Sequence, residues 1–279
     1  MQHDSLVRFL IENRAVRGEI VYLDESYREV MVRHPYPLQI QRLLGELLAC
    51  VSLLSATLKY EGSLILQIQG DGPISLLLAQ ANAERQIRGL AKWEGNVPEN
   101  FNEAMGQGKM AITIDPGKGS ERYQGIVELR GNNIARITEN YFYQSEQLPT
   151  YLFLCADEKR AAGFLVQSLP KTENQLSEDW FHIEQLVRTL TPKELLELPA
   201  ETILHRLFHQ ETVKILGSQP VEFYCRCSRD AMAKAIFTMG KEDARKLSEE
   251  HQVVSVTCEF CNKKQDFDRI DIERIFYGM

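Results

Sequence analysis

The distribution of hydrophobic and polar residues predicts a first region of strands connected by tight turns. Alternating apolar and polar residues indicate strands at 14–23 and 63–69, and turn residues at 70–73 connect the second of these to an apolar run at 74–79, as in a hairpin. Further strands are predicted at 109–114, 124–129, 151–155 and 162–169. Strands paired through tight turns, with few helices between them, favour an α+β fold over a doubly wound sheet.

Helical spacing of apolar residues predicts a core helix at 37–58 and a second helix at 133–147. The most apolar run, 43–58, contains Glu46 and is shorter than the ~20 residues that span a bilayer. Charged residues interrupt the apolar residues near Met1, so we expect no signal peptide and no membrane segment. A cytoplasmic location follows as an expectation, and thiols in that compartment are normally reduced.

The pattern changes after Pro170 to a series of short helical signals. Ser177 is a candidate N-cap, Trp180 a candidate apolar anchor, and residues 191–194 have the form of a capping box with proline at the first helical position. Helices of about 7–12 residues are too short to be stable alone, so they can be ordered only by packing on their neighbours. We therefore predict an α+β domain at 1–176 and a metastable helical linker at 177–219.

Residues 220–279 form a third region, in which four of the six cysteines of the chain occur as two close pairs. The pairs are Cys225-x-Cys227 and, thirty residues later, Cys258-x-x-Cys261. A unit of about sixty residues is marginally stable without reinforcement. Zn²⁺ prefers four thiolates in a tetrahedron, so we predict a zinc-binding domain with one Zn²⁺ per chain. A purely architectural zinc knuckle and an iron–sulfur cluster are the alternatives.

Composition and charge exclude several other classes of protein. The charged fraction is 25% and the hydrophobic fraction 44%, which is typical of a folded soluble chain and not of a disordered one. The net charge of −7 argues against nonspecific nucleic-acid binding, and residues 221–279 carry ten Lys and Arg against eleven Asp and Glu. A zinc ribbon that binds nucleic acid is therefore the weaker alternative. A thiol oxidoreductase is disfavoured because its Cys-x-x-Cys normally opens a helix in a βαβ unit.

Other residues that suggest chemistry have simpler interpretations. Cys50 and Cys155 lie in apolar segments and are expected to be core residues. The glycine-rich loop at 106–109 precedes a predicted strand and not a helix, which disfavours phosphate binding. Ser145 lacks the surroundings of a nucleophile, and its polar neighbours are expected to form a buried hydrogen-bond network. His205 and His209 have no third metal ligand at a suitable spacing and are expected to be solvated.

The cysteine pattern and its surroundings resemble a known family. Cys-x-Cys followed by Cys-x-x-Cys within VEFYCRCSR (221–229) and VTCEFCN (256–262) is similar to the redox-regulated heat-shock holdases, the 33-kilodalton chaperonins of bacteria. The first region carries further similar segments, LGELL (44–48), QGDGP (69–73), RYQG (122–125) and YFYQSEQLP (141–149). The resemblance covers the chain from about residue 3 to residue 277 and includes all four cysteine positions.

This resemblance implies a cytosolic, ATP-independent chaperone, not an enzyme, that is inactive when reduced and loaded with zinc. It implies that oxidants under unfolding conditions release zinc and form the disulfides Cys225–Cys227 and Cys258–Cys261. The linker then unfolds, homodimers form, and exposed apolar surface holds unfolded client proteins. The resemblance does not identify the client-binding residues.

Overall fold

The computed structural model describes residues 3–57, 62–117, 121–169 and 173–277, and the side chains of all of these except 173–177. The chain divides into two compact units, Met1–Phe223 and Tyr224–Met279. Antiparallel strands joined by turns, with helices between them, confirm the predicted α+β class.

The described residues of the first unit contain eleven strands. They are β1 (Ser5–Ile11), β2 (Val16–Leu23), β3 (Ser63–Gly70), β4 (Ile74–Asn82), β5 (Gln86–Trp93), β6 (Gly108–Asp115), β7 (Tyr123–Glu128), β8 (Thr150–Ala156), β9 (Ala161–Ser168), β10 (Val213–Pro220) and β11 (Glu222–Phe223). The helices are α1 (Glu25–Met31), α2 (Leu38–Thr57), α3 (Phe101–Met105), α4 (Ile134–Tyr141), α5 (Glu173–Val187), α6 (Pro192–Glu197) and α7 (Ala200–Phe208).

These strands form two sheets. The five-stranded sheet has the order β10-β1-β2-β9-β8 and is antiparallel throughout. The six-stranded sheet has the order β11-β5-β4-β3-β6-β7, with β11 parallel to β5. The predicted strands are all present, and the hairpin of β3 and β4 is confirmed. Strands β1, β5, β10 and β11 were not predicted. Asp4 directly precedes β1, and Arg8 interrupts the apolar pattern at the middle of the strand.

The predicted core helix is α2, and its buried side chains join the two sheets in one cluster. Gly45 permits this close packing, because a Cβ atom there would lie 2.7 Å from the Cβ of Ala156 and 2.9 Å from the ring of Tyr27. The helix has 20 residues, more than the apolar run in the sequence suggested, and by length and composition alone could cross a bilayer. However, 67% of its most apolar window is buried within the fold, as in the core helix of a globular protein.

Helices α5 to α7 cover the other face of the five-stranded sheet. Phe9 of β1 contacts Phe164 of β9 and Phe208 of α7, with ring centroids 5.8 and 6.2 Å apart. Trp180 packs against the same cluster, as predicted. Helix α5 begins at Glu173, so Ser177 lies inside the helix and the prediction that it is the N-cap was wrong.

The segment predicted to be a helical linker also contains a strand. The capping box is confirmed, because Thr191 and Glu194 exchange side-chain and backbone hydrogen bonds and Pro192 starts α6. After α7, however, β10 pairs with β1 over its whole length. Most residues of β10 are exposed, and apolar and polar residues do not alternate along it, which is why the sequence pattern did not predict this strand. The metastability of 177–219 and the predicted division into three domains remain predictions.

A buried carboxyl group lies within the five-stranded sheet. Glu19 of β2 is 3% exposed and stands opposite Arg8 of β1. In the described part of the chain, neither Glu19 Oε2 nor Arg8 Nε has a hydrogen-bond partner. Burial raises the pKa of Glu19 to about 7, although Arg17 and Arg8 oppose this shift. Folding therefore favours the protonated form of this side chain.

We expect the substitution Glu19→Gln to stabilise the first unit at pH 8 and to have little effect at pH 5. The stability that protonated Glu19 provides is fully present below its ordinary pKa of 4.5 and is lost as the pH rises through about 7. The gain should be about 2–3 kcal/mol larger at pH 8 than at pH 5. Urea unfolding at both pH values measures it, with the exposed Glu197→Gln as the control. Equal effects at the two pH values would contradict the burial argument.

The second unit is small. Its elements are α8 (Arg229–Met239), α9 (Lys241–Glu250), β12 (Val253–Thr257), β13 (Lys264–Asp268) and α10 (Arg269–Tyr277). The two helices predicted between the cysteine pairs and the closing helix are confirmed within one residue. Strands β12 and β13 form an antiparallel hairpin. The core consists of six buried side chains, namely Met232, Ile236, Ala244, Phe267, Ile272 and Ile275.

Candidate metal centre

The two cysteine pairs lie on two separate turns of the second unit. Cys225 and Cys227 lie in the extended segment just before α8, where the Ser228 side chain accepts a hydrogen bond from Ala231 N–H (3.1 Å) and begins the helix. Cys258 and Cys261 lie in the turn between β12 and β13. That turn is closed by hydrogen bonds from Cys258 N–H to the Lys263 carbonyl (2.9 Å) and from Asn262 N–H to the Cys258 carbonyl (2.8 Å).

The fold brings all four sulfur atoms together. Each Sγ lies within 4.8 Å of the other three, with Cys225 3.6 Å from Cys258 and Cys227 3.2 Å from Cys261. The four cysteines are free thiols in this structure. In the described residues this is the one group of His, Cys, Asp and Glu side chains that could hold a metal ion.

The electrostatics of the cluster favour a bound cation. Burial raises the pKa of the Cys227 thiol, and its contacts with Cys261 and Cys225 raise the pKa further. Four thiolates at this separation would repel one another without a positive charge between them. A metal ion reverses the effect, because a coordinating thiol is deprotonated.

The arrangement fits a tetrahedral ion bound by four thiolates. Zn–S bonds of about 2.3 Å place the sulfur atoms of a regular tetrahedron about 3.8 Å apart, close to the separations observed. The donor set contains only sulfur, which suits zinc or iron and not calcium or magnesium. The four cysteines therefore could hold a metal ion as the sequence analysis expected, and the identity of that ion remains a prediction.

The surrounding side chains fix the turns but add little hydrophobic core. Arg229 lies 4.4 Å over the ring of Phe267 and donates hydrogen bonds to the Asp266 carbonyl (2.8 Å) and to Asp271 (2.6 Å). Arg245 and Glu273 form a two-point ion pair between α9 and α10. A single core in a unit of this size rarely provides more than about 3–5 kcal/mol, so we expect the unit to depend on a cross-link.

The other cysteine and histidine residues that suggested chemistry in the sequence are buried or exposed as the sequence analysis expected. Cys50 and Cys155 are buried in the first unit, and burial raises the pKa of each thiol to about 12. His205 and His209 are exposed on α7 and its end. The loop at 106–109 leads into β6, so no helix N-terminus follows it.

One expectation about the polar residues near Ser145 was wrong. They form a π-helical turn at Phe142–Glu146 that is exposed from residue 143 onwards, and not a buried network. Only Glu146 in this turn reaches back, accepting a hydrogen bond from the Tyr141 hydroxyl (3.1 Å). The turn ends at Gln147, whose positive φ of 54° turns the chain towards β8.

A polar cluster that the sequence did not reveal holds α5 to the turn that follows β1. The side chain of Glu211 is 2% exposed and accepts hydrogen bonds from Arg14 Nε (3.1 Å), from Asn13 and, at 2.9 Å, from His182. Arg14 also pairs with Asp179 of α5 at 2.6 Å. Although burial opposes it, these hydrogen bonds hold the pKa of the Glu211 carboxyl below its usual range. We call these five residues the Glu211 cluster.

Comparison with known proteins places the chain in a family. The family model described as "Hsp33 protein" matches residues 4–268. The 33 kDa chaperonin of Shewanella sediminis is 48% identical over 99% of this chain and 96% of its own length, and that of Nitrosococcus oceani is 44% identical over 98% and 94%. The crystal structure of the 33 kDa chaperonin of Thermotoga maritima matches with a TM-score of 0.87 and 25% identity over 99% of each chain. The chain therefore belongs to the Hsp33 family of 33 kDa chaperonins.

Proposed function

We propose that this protein is a redox-regulated, ATP-independent holdase that binds unfolded client proteins under oxidative stress. Membership of a family of chaperonins supports the chaperone role. The observation that carries the redox part is the cluster of four cysteine sulfurs within 4.8 Å of one another. In this proposal the protein works in the cytoplasm and has no enzymatic activity.

In the resting state, Cys225, Cys227, Cys258 and Cys261 would hold one Zn²⁺ per chain. The ion would neutralise the thiolates and cross-link two turns of a unit whose own core is small. The reduced thiolates keep the segment before α8 and the β12–β13 turn together. The second unit is then folded and the chaperone inactive.

Oxidation would remove these ligands in pairs. In each pair two zinc-bound thiolates would lose two electrons and form one S–S bond, while a peroxide takes up these electrons with two protons from the solvent and is reduced to two water molecules. Once both pairs have reacted, no thiolate remains to hold the Zn²⁺, which leaves to the solvent. We propose the pairs Cys225–Cys227 and Cys258–Cys261. All four sulfurs lie within 4.8 Å of one another, so either pairing within the cluster needs only local movement. Local pairs, unlike the cross-pairs, leave the two turns unconnected, so the second unit would unfold.

The response of the first unit would be the release of α5 to α7. These helices bury apolar side chains on one face of the five-stranded sheet, and α6 and α7 have only 6 and 9 residues. Helices of this length do not persist without packing. Their release would uncover an apolar sheet face that includes Phe9, Ile20 and Phe164. This surface would hold clients and support homodimers of the activated chain.

Warm peroxide treatment is expected to switch the protein on. We expect about one zinc per reduced chain with little suppression of client aggregation, and then zinc release with strong suppression in the absence of ATP. Metal analysis and light scattering of an aggregating client measure the two quantities on the same samples. A control returned to the reduced state with dithiothreitol and zinc should lose the activity again.

Two outcomes would contradict the proposal in different ways. Reduced protein that is as active as oxidised protein would exclude redox control while leaving the metal site intact. Metal retained through oxidation would indicate a purely structural site. Peptide mapping of the oxidised chain tests the pairing, because Cys225–Cys258 or Cys227–Cys261 bridges would staple the second unit instead of releasing it.

A further inference from the structure

Strand β8 is an outer strand of the five-stranded sheet, and the direction of its backbone groups can be read from its ends. The Pro149 carbonyl accepts a hydrogen bond from Ser168 N–H (3.0 Å). At the other end, Asp157 N–H donates to the Arg160 carbonyl (2.9 Å). In an antiparallel pair, every second residue of a strand forms backbone hydrogen bonds with the neighbouring strand. Because residues 149 and 157 form such bonds, the odd-numbered residues of β8 pair with β9. The N–H and C=O groups of the even-numbered residues point away from the sheet: Thr150, Leu152 and Leu154.

A carboxylate occupies one of these outward positions. Glu139 Oε1 accepts a hydrogen bond from Leu152 N–H at 2.9 Å, while Arg136 pairs with Oε2 at 3.1 Å. The carboxylate oxygen stands where the carbonyl of a neighbouring strand would bond. Leu154 N–H, two residues further, has no partner of this kind among the described residues. The edge of β8 therefore has an outward N–H group available for pairing with another strand at Leu154, whereas Glu139 occupies the one at Leu152.

A groove runs along this edge. Two adjoining cavities of about 460 and 490 Å³ share Arg136, Glu139 and Tyr151, and together they follow the chain from Pro149 to Leu154. Helix α4 forms one wall, and α5 with Arg188 forms the other. We call this feature the β8 groove.

The two ends of the β8 groove differ in chemistry. One end is aromatic, with Tyr143 and Trp180. The other end is polar and contains Glu46 of α2, whose pKa burial raises to about 8, so that near neutral pH its carboxyl group can donate a hydrogen bond. Along the walls the charges are balanced within each helix, since Arg136 pairs with Glu139 and Arg188 with Glu184 at 2.6 Å.

We propose that the β8 groove receives an extended segment of an unfolded client polypeptide, which pairs with β8 as an additional strand. This inference rests on the proposed holdase function. An unfolded chain offers free N–H and C=O groups along an extended backbone, as strand addition requires, and a folded protein does not. The balanced charges of α4 select for neither acidic nor basic segments, and Tyr143, which does not belong to α5, favours an apolar side chain at the aromatic end.

The position of α5 connects this groove to the proposed switch. Trp180 and Glu184 belong to α5, so release of α5 would remove one wall and leave the edge of β8 open from that side. Glu139 would remain as the residue that an incoming carbonyl must displace from Leu152 N–H. Strand addition should therefore be weak in the reduced chain and stronger in the oxidised chain.

Hydrogen exchange measured by mass spectrometry tests the inference on the full chain. The probe is reduced and carboxymethylated α-lactalbumin, a permanently unfolded polypeptide with no thiol to exchange. With the oxidised chain, we expect the amides of 150–156 to exchange about 3- to 10-fold more slowly when the probe is bound, the effect of one added hydrogen bond per outward group. Protection of 150–156 on oxidation alone, without the probe, would mean that a second copy of the chain occupies the edge and would overturn the proposal.

Two proline variants provide a matched comparison. Leu154→Pro removes an outward N–H from β8 without removing a bond to β9. Ile126→Pro does the same on β7, since the bond from Leu129 N–H to the Gly108 carbonyl places the even-numbered residues of β7 outward. We expect Leu154→Pro to weaken probe binding about 3- to 10-fold and Ile126→Pro to leave it unchanged.

The outcomes separate this inference from the function on which it rests. An oxidised wild-type chain that does not bind the probe at all would contradict the holdase function itself. Binding without protection of 150–156, and with equal affinity for both proline variants, would overturn the groove alone. Leu154 is 8% exposed, so thermal unfolding of both variants must be recorded. Loosened packing would expose apolar surface and raise binding, which is the opposite of the expected effect.

Discussion

Replacing Cys227 with serine is expected to leave residues 224–279 unfolded while the first unit keeps its fold. The second unit has six buried core side chains, and a core of this size contributes about 3–5 kcal/mol at most. Binding of a structural zinc ion contributes on the order of 10–16 kcal/mol and is coupled to folding. Loss of one of four thiolates should therefore lower zinc content to near zero and shift the unit to its unfolded state. Limited proteolysis with mass mapping should show cleavage confined to 224–279.

The matched control is Cys155→Ala, which removes a thiol from the first unit. Cys155 is 8% exposed and lies far in sequence from the metal cluster, so the variant should keep its zinc and the proteolytic resistance of residues 224–279. Should the Cys227 variant resist protease as well as the wild type does, metal would not be the source of stability of the second unit. Zinc retained at full occupancy with three thiolates would lead to the same conclusion.

The convergence of the four cysteines could be predicted from the sequence because its information is local. Each cysteine pair lies within four residues, and the helix that follows the first pair has its own cap at Ser228. A short spacing limits the possible geometry of a turn, so the pattern alone indicates which side chains converge. Helix α2 was equally clear, since helical periodicity persists over its 20 residues.

Features that depend on distant residues were not predictable in this way. Arg14 and Glu211 are 197 residues apart, and each is an ordinary charged residue in the sequence. Glu139 and Leu152 acquire their relation only when α4 lies beside the edge of β8. Strand β10 is ordered by its ladder with β1 and not by its own alternation. Tertiary pairing decided these elements, and local propensity is a weak guide in such cases.

Replacing Glu211 with glutamine is expected to release α5 to α7 and to activate the chaperone without oxidant. The carboxylate is almost fully buried and accepts hydrogen bonds from Arg14, Asn13 and His182, on both sides of the contact with α5. Hydrogen bonds to charged groups contribute about 1.5–3 kcal/mol, and an amide cannot satisfy the same three donors. The free energy of docking of these short helices should weaken by about 2–3 kcal/mol. The variant should therefore populate the state with released helices at temperatures at which the helices of the wild type are still docked.

The control is Glu197→Gln, which makes the same change of charge at an exposed position of α6. Protease sensitivity at 177–219 and suppression of client aggregation should both rise in the Glu211 variant and stay at the wild-type level in the control, while both variants keep one zinc. The proposed switch has two parts, the second unit as the sensor of oxidants and helices α5 to α7 as the element that responds. Holding activity in a variant that still binds zinc would show that the second part can act without the first. Released helices without holding activity would instead mean that uncovering this sheet face is not sufficient, and that oxidation must supply a further surface.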